Sequence, residues 1–156
     1  MDRLFLLLIF GAFFLIPNFS NADEEEVNHV LDALHQGAAN ADWKTYFSLF
    51  SKDAVFMGTD ATERWSIKKF REYVVGRPTG WQYSMTERHI NFTPERNAAW
   101  FDELLWANSY GQTRGTGVLI KTDMGWKISQ YSLSITIPND LADKLSTNIK
   151  KYLNKR

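Results

Sequence analysis

The sequence predicts one α+β domain, with helices in its first half and antiparallel strands in its second half. Up to about residue 74, most apolar side chains recur at helical spacing, with one short strand among them. From residue 81 onward, apolar and β-branched runs alternate with turn residues, which is typical of consecutive antiparallel strands. This order of elements favours helices packed on one face of a sheet.

The clearest element is a long hairpin within residues 114–138. Two apolar, β-branched runs flank a turn at Asp123–Gly125. In the second strand of the hairpin, Trp126 and Ile128 are even-numbered, whereas the apolar residues that follow are odd-numbered. The buried face therefore changes between them, and we expect a β-bulge near Ser129 that bends the sheet. The later residues alternate with polar ones, as in a strand with one buried face: Tyr131, Leu133, Ile135 and Ile137.

The remaining elements follow from periodicity and capping residues. An amphipathic helix over residues 24–40 precedes a short helix over 43–50, for which Asp42 is the predicted N-cap. A strand at 54–59 leads to a third helix capped by Ser66. The predicted strands and the last helix then come in this order: 81–93, 98–107, 113–122, 126–137, and a helix from Asn139 with Leu141, Leu145 and Ile149 on one face.

The N-terminal stretch has the features of a secretory signal peptide over residues 1–22. Leu4–Ile16 is an apolar run preceded by Arg3, and Ser20–Ala22 offers small residues for cleavage. Such a run rises only about 20 Å as a helix, against roughly 30 Å of hydrocarbon, so it is short for a membrane span. We expect an exported protein, in a bacterial periplasm because the chain has no cysteine. An uncleaved N-terminal anchor is the alternative.

Composition and motifs exclude several classes of function. The formal net charge is zero, which argues against nucleic acid as the main partner. Gly115 and Gly117 lie inside a predicted strand with no third glycine, so they do not form a dinucleotide-binding loop. No nucleophile elbow, P-loop or metal-type His/Asp spacing occurs. We therefore expect neither a cofactor nor a metal.

Several short motifs occur in a characteristic order along the chain. They are Asn40–Trp43, Gly58–Asp60 followed by Glu63 and Trp65, Arg114–Leu119, Gly125–Ile128, Gln130–Tyr131 and the exit Ile137–Asp140. Together they resemble the SnoaL-like branch of the nuclear transport factor 2-like / ketosteroid isomerase-like superfamily, over about residues 24–140. The resemblance implies a SnoaL-like domain at 23–140, followed by a C-terminal amphipathic helix and basic tail at 141–156.

The resemblance also implies a fold and partners. The fold is a cystatin-like α+β barrel, in which a cone-shaped, curved antiparallel sheet is covered by the N-terminal helices and an additional C-terminal helix follows. The implied partners are a small, partly apolar molecule and a second copy bound through the outer sheet face, without nucleic acid and without a membrane span after cleavage. The isomerase residues themselves do not carry over, because Gly58 stands at the position of the catalytic base, and Leu34 and Val118 at those of the oxyanion hole.

By the same resemblance, alternate strand residues line the inside of the cone, and Asp60 lies at its rim. The predicted ligand pocket comprises Phe56, Gly58, Glu63, Trp65, Trp100, Leu104, Arg114, Thr116, Val118, Tyr131 and Leu133.

Three residues are candidates for acid–base chemistry: Asp102, Asp60 and His35. Asp102, on the predicted inner face, would lie within reach of Arg114. Loss of hydration there raises the pKa of a carboxyl group, whereas a guanidinium lowers it. Asp102 is therefore either a tuned base or ligand anchor, or one half of an ion pair that only fixes the sheet. Asp60 also fits a capping group, and His35 a core histidine.

Three functions stay open on the sequence alone. We favour an exported small-molecule-binding domain with a Trp-lined pocket. The alternatives are an acid–base enzyme of isomerase, cyclase or dehydratase type that uses Asp102, and a dimeric protein-interaction module. The last helix and tail are basic and form either a solvated surface or a contact for anionic lipid, through Lys144, Lys150, Lys151, Lys155 and Arg156.

Overall fold

A computed structural model describes residues 19–77 and 80–155 of the 156-residue chain. The predicted signal peptide, residues 1–22, lies outside the described residues except for its last four positions. Within the described part of the chain, no helix is both long enough and apolar enough to cross a membrane.

Four helices are present among the described residues, at positions close to those predicted. Helix α1 begins at Phe19, before the predicted start, and its predicted apolar stripe is buried. The predicted caps are confirmed, because Asp42 accepts a hydrogen bond from the Thr45 backbone N–H and Ser66 accepts one from that of Lys69. The helices are α1 (Phe19–Ala39), α2 (Trp43–Ser48), α3 (Ile67–Val74) and α4 (Asn139–Leu153).

Within the described residues, six strands form one sheet, in the spatial order β2-β1-β6-β5-β4-β3. All neighbouring pairs are antiparallel except β1 and β6, which run parallel, so the sheet is mixed and not wholly antiparallel. Strand β2 was not predicted from the sequence. The strands are β1 (Phe50–Met57), β2 (Arg64–Ser66), β3 (Tyr83–Phe92), β4 (Ala98–Ala107), β5 (Gly111–Thr122) and β6 (Gly125–Ile135).

The predicted β-bulge lies where it was expected. On the β5–β6 pair, Leu119 is opposite Ile128, whereas Val118 is opposite Gln130. Ser129 is therefore the extra residue of β6, and the buried parity of that strand changes there. The bulge bends the hairpin around the hydrophobic core, which α1, α2 and α3 close on the concave side of the sheet.

The predicted inner face of β4 and β5 was wrong by one residue. On β4 the alternate positions Phe101, Glu103 and Leu105 are buried, whereas Trp100 is 48% and Trp106 55% exposed. Leu104, Arg114, Thr116 and Val118 share the outer face with these tryptophans. A shift of one residue transfers every side chain of a strand to the other face.

The inner face was taken from the resemblance, and the pairing across the bulge gives the opposite face. Without the bulge, Tyr131 would be opposite Thr116; with it, Tyr131 is opposite Gly117, which in turn is opposite Phe101. The inner face of the sheet therefore continues from the odd positions of β6 to the odd positions of β5 and β4.

Candidate active site

A cavity of about 110 Å³ lies at the concave side of the sheet, among α1, α3, β1 and β6. Nine of its sixteen lining residues are aromatic. They come from distant parts of the chain and are Tyr46, Phe56, Trp65, Phe70, Tyr73, Trp81, Tyr83, Tyr110 and Tyr131. The space is smaller than the engineered apolar cavity of about 150 Å³ that holds benzene, so its upper limit is a molecule with a single small ring.

Several of these rings lie nearly parallel to one another. The Phe56 ring stacks on Phe70, with centroids 3.8 Å apart and an interplanar angle of 12°. Tyr131 lies 5.8 Å from Phe56 at 6°, and Trp81 lies 6.3 Å from Phe70 at 12°. Parallel aromatic planes offer favourable offset stacking to a flat ligand.

A histidine–carboxylate pair joins α1 to β4 beside the cavity. Nε2 of His35 lies 2.8 Å from Oε1 of Glu103. Glu103 is fully buried, whereas 12% of the His35 side chain is exposed and His35 lines the cavity. The imidazole therefore stands between a buried carboxyl group and the ligand space.

Glu103 is held by three cationic or polar side chains. Arg88 on β3 donates from Nε to Oε2 at 2.9 Å, and the hydroxyl of Tyr131 donates to Oε1 at 3.1 Å. Burial raises the pKa of Glu103, but the hydrogen bond and charge of His35 together with Arg88 outweigh it, so the pKa lies below its ordinary value. Glu103 is thus a carboxylate at neutral pH.

The opposite end of Arg88 is fixed by α1. Its Nη1 donates to Oδ1 of Asp32 at 2.8 Å and to Oδ1 of Asn28 at 3.0 Å. The Arg88 side chain is only 4% exposed. The planar guanidinium of Arg88 thus joins Glu103 to α1 through different nitrogens, a geometry that a lysine could not reproduce.

The ionised state of Glu103 determines which nitrogen of His35 can react. A carboxylate only accepts hydrogen bonds, so Nε2 carries a proton. In the neutral imidazole Nδ1 is then the basic nitrogen, as when a carboxylate orients a catalytic histidine. Burial raises the pKa of Tyr83 to about 12 and, with the nearby Glu103 charge, raises the pKa of Tyr131 well above its ordinary value. Both phenols are therefore neutral at pH 7.

Seven of the sequence-predicted site residues line the cavity. His35 is among them, and Glu63 and Trp65 lie at the β1–β2 end. The set comprises His35, Phe56, Gly58, Glu63, Trp65, Tyr131 and Leu133.

The other predicted site residues do not line it. Trp100, Leu104, Arg114, Thr116 and Val118 lie on the outer face, for the reason given above.

Neither predicted carboxylate base occupies the cavity. Asp102 lies on the outer face, in register with His89 and Thr116, while Arg114 is in register with Leu104. The predicted site centred on Asp102 is therefore wrong. Asp60 is exposed in the β1–β2 loop, where its Oδ1 accepts a hydrogen bond from the Thr62 hydroxyl.

Sequence reasoning missed Glu103 and Arg88, which form the polar centre of the site. The available signal was a pair of glycines on the inner face of β5. A Cβ atom at Gly115 would lie 2.5 Å from the Tyr131 hydroxyl and 2.9 Å from Oε1 of Glu103. Glycine at this position leaves room for a buried side chain opposite it.

No metal site is evident in the part of the chain that the structure describes. Within residues 19–77 and 80–155, no three His, Asp or Glu side chains are grouped so that they could hold an ion.

The fold and cavity define a cone-shaped α+β domain with an aromatic pocket. The chain belongs to the SnoaL-like domain family, whose model matches residues 27–138. This confirms the superfamily and the fold that the sequence motifs predicted. The comparison with curated proteins yields no match.

Solved structures share the fold at low sequence identity. A protein from Novosphingobium aromaticivorans, provisionally assigned as a scytalone dehydratase, is 13% identical with a TM-score of 0.65, over 76% of this chain and 87% of its own. A provisionally assigned dehydratase from Streptomyces avermitilis is 16% identical with a TM-score of 0.62, over 76% and 99%. A cystatin-like domain of unknown function from Nostoc punctiforme is 14% identical with a TM-score of 0.62, over 86% and 98%.

Proposed function

We propose that the protein is an exported SnoaL-like domain that binds one small, flat, uncharged molecule in its aromatic cavity. The observation that carries this proposal is the set of near-parallel rings, Phe56, Phe70 and Tyr131, around a space of single-ring size. The neutral phenols of Tyr83 and Tyr131 offer hydrogen bonds without charge, and the acidic Glu63 at the β1–β2 end of the lining disfavours an anion. A phenol or another ring with one hydroxyl group fits this chemistry.

Binding is testable by tryptophan fluorescence, because Trp65 and Trp81 line the cavity. We expect phenol and benzyl alcohol to change the emission of the wild-type protein saturably, and benzoate to bind more weakly because its charge would lose hydration. Leu133→Phe fills the cavity and should weaken binding at least tenfold. Val118→Phe, on the outer face, is the matched control and should bind like wild type. Equal binding by both variants would contradict the proposal.

Export is supported by the apolar run Leu4–Ile16 and the small residues before Asp23. We expect the intact mass of the protein from a periplasmic fraction to correspond to a chain that begins at Asp23. A mass that retains residues 1–22 would instead support an N-terminal anchor.

A second candidate is a lyase of the dehydratase type, which the His35–Glu103 pair favours. Two structural relatives are provisionally assigned as dehydratases. His35 Nδ1 would take a proton from the carbon next to a carbonyl group, and Glu103 would stabilise the imidazolium. The bond between the β-carbon and its hydroxyl group would break, and the hydroxyl group would take up that proton. The products are an α,β-unsaturated carbonyl compound and water.

The lyase proposal predicts a separation of binding from turnover. With a β-hydroxy ketone whose ring fits the cavity, we expect His35→Gln to lose turnover at least a hundredfold while phenol still binds. Turnover that His35→Gln leaves unchanged would contradict this role.

A further inference from the structure

Helix α4 presents an apolar stripe that its own protomer does not cover. No residue of α4 is buried, and Leu141, Leu145 and Ile149 are 48%, 37% and 50% exposed. Tyr152 and Leu153 extend the stripe and are more than half exposed. The apolar stripe of a helix is normally packed against another surface.

The outer face of the sheet carries a second exposed apolar patch. Trp100 and Trp106 lie on the same side of β4, about half exposed, with Leu104 between them and Val118 opposite Trp100 on β5. Asp102, Arg114 and Thr116 lie among these apolar side chains, and a surface that combines tryptophan with arginine is typical of protein interfaces.

We propose that α4 of one protomer packs on the outer sheet face of a second copy of this chain, and that the exchange is reciprocal. The dimensions agree, because the stripe from Leu141 to Leu153 rises about 18 Å. The distance along β4 from Trp100 to Trp106 is about 20 Å. A two-fold axis forms each contact twice, which doubles the buried area.

The charges of the two surfaces are complementary. Lys144 and Lys151 lie along one edge of the stripe, because helical periodicity places both residues on the side of α4 next to Leu141. The outer face carries two acids, Asp102 between the two tryptophans and Glu87 in register with Leu104, and Arg114 on the other side of Leu104 adds one positive charge there. The superfamily resemblance implies a dimer through the outer sheet face; the exchange of α4 is what this structure adds.

The absence of cysteine allows the contact to be mapped by cross-linking. Asn148→Cys lies beside the stripe of α4. Thr116→Cys lies on the outer face, on β5 opposite the segment of β4 between the two tryptophans. When the two single variants carry different tags and are mixed, we expect a covalent dimer that contains both tags. Thr147→Cys, on the polar side of α4, is the control and should not cross-link to Thr116→Cys. A mixed-tag dimer from the control alone, or from neither pair, would overturn the proposal.

Sedimentation equilibrium tests the energetic role of the stripe. We expect the wild-type protein to be a dimer, and the Leu145→Glu, Ile149→Glu double variant to dissociate at least tenfold more readily with an unchanged circular dichroism spectrum in its β region. The Thr147→Glu, Asn154→Glu variant adds the same charge to the polar side of α4 and to the residue that follows the helix, and it should remain dimeric. A monomeric wild type overturns the proposal, and so does a dimer that the stripe variant does not weaken. Binding of a monomer to phosphatidylserine vesicles through α4 would assign the stripe to lipid instead.

Discussion

Nε2 of His35 lies 2.8 Å from Oε1 of Glu103, so that the first helix contacts strand β4 through a fully buried carboxylate. The residues are 68 positions apart in the chain. Arg88 and Tyr131 complete the network around the same carboxylate. The relative positions of α1 and β4, and with them the shape of the cavity, depend on one charged group.

Removal of this charge should be costly. Glu103→Gln leaves Arg88 without its buried counter-ion, and we expect the free energy of unfolding to fall by about 3–5 kcal/mol in urea denaturation at pH 7. Glu87→Gln is the matched control, because Glu87 pairs with His89 on the exposed outer side and should cost about 1 kcal/mol or less. Equal losses in the two variants would show that burial of Glu103 is not the cause.

The pH dependence of stability should report the same carboxylate. The pKa of Glu103 is lower in the folded protein than its ordinary value of 4.5, so the unfolded chain binds more protons in acid. Stability from this group is present above about pH 4.5 and is lost as the pH falls through the folded-state value. Urea midpoints measured from pH 7 to pH 3 should therefore decline less steeply for Glu103→Gln than for wild type. Parallel curves would contradict this assignment.

The hydrogen bond between Tyr131 and Glu103 should require the space that the absence of a side chain at Gly115 provides. In Gly115→Ala, the added methyl group would crowd the Tyr131 hydroxyl and Glu103, and we expect a loss of about 1–3 kcal/mol. Thr116→Ala changes the next residue, which lies on the outer face, and should cost less. Thermal unfolding of both variants checks the prediction; a neutral Gly115→Ala would mean that the network can shift without loss.

A second buried charge fixes the start of α1. Oδ1 of Asp23 lies 2.6 Å from Nζ of Lys121, and its Oδ2 lies 2.7 Å from Nε of Arg96. Because both partners are partly exposed, we expect Asp23→Asn to cost only about 1 kcal/mol. Hydrogen exchange should be faster in the first turns of α1 and unchanged in β4. Asp53→Asn, at an exposed position of β1, is the control and should leave hydrogen exchange in α1 unaltered.

The order and extent of most elements followed from sequence periodicity. The predicted strand at 98–107 coincides with β4, and the bulge at Ser129 was identified from a change of parity. Strand β2 was missed because three residues, Arg64–Ser66, are too few to show a pattern. The parallel pairing of β1 with β6 depends on contacts between distant segments and has no local signal.

The site was harder to predict than the fold, since β4 has two amphipathic faces. Alternation separated Trp100, Asp102 and Leu104 from Phe101, Glu103 and Leu105, but each set contains one acid and several apolar residues. Only the pairing across the bulge decides between the faces, through Tyr131, Gly117 and Phe101. His35, Glu63 and Trp65 line the cavity, and their selection as candidates did not depend on this register.

Native mass spectrometry of the protein purified from its own host tests the central claim most directly. We predict that the wild-type protein and Val118→Phe carry one small, uncharged adduct per protomer, removed by mild activation, and that Leu133→Phe does not. An unliganded wild-type protein, or an adduct that Leu133→Phe retains in full, would contradict binding in the aromatic cavity.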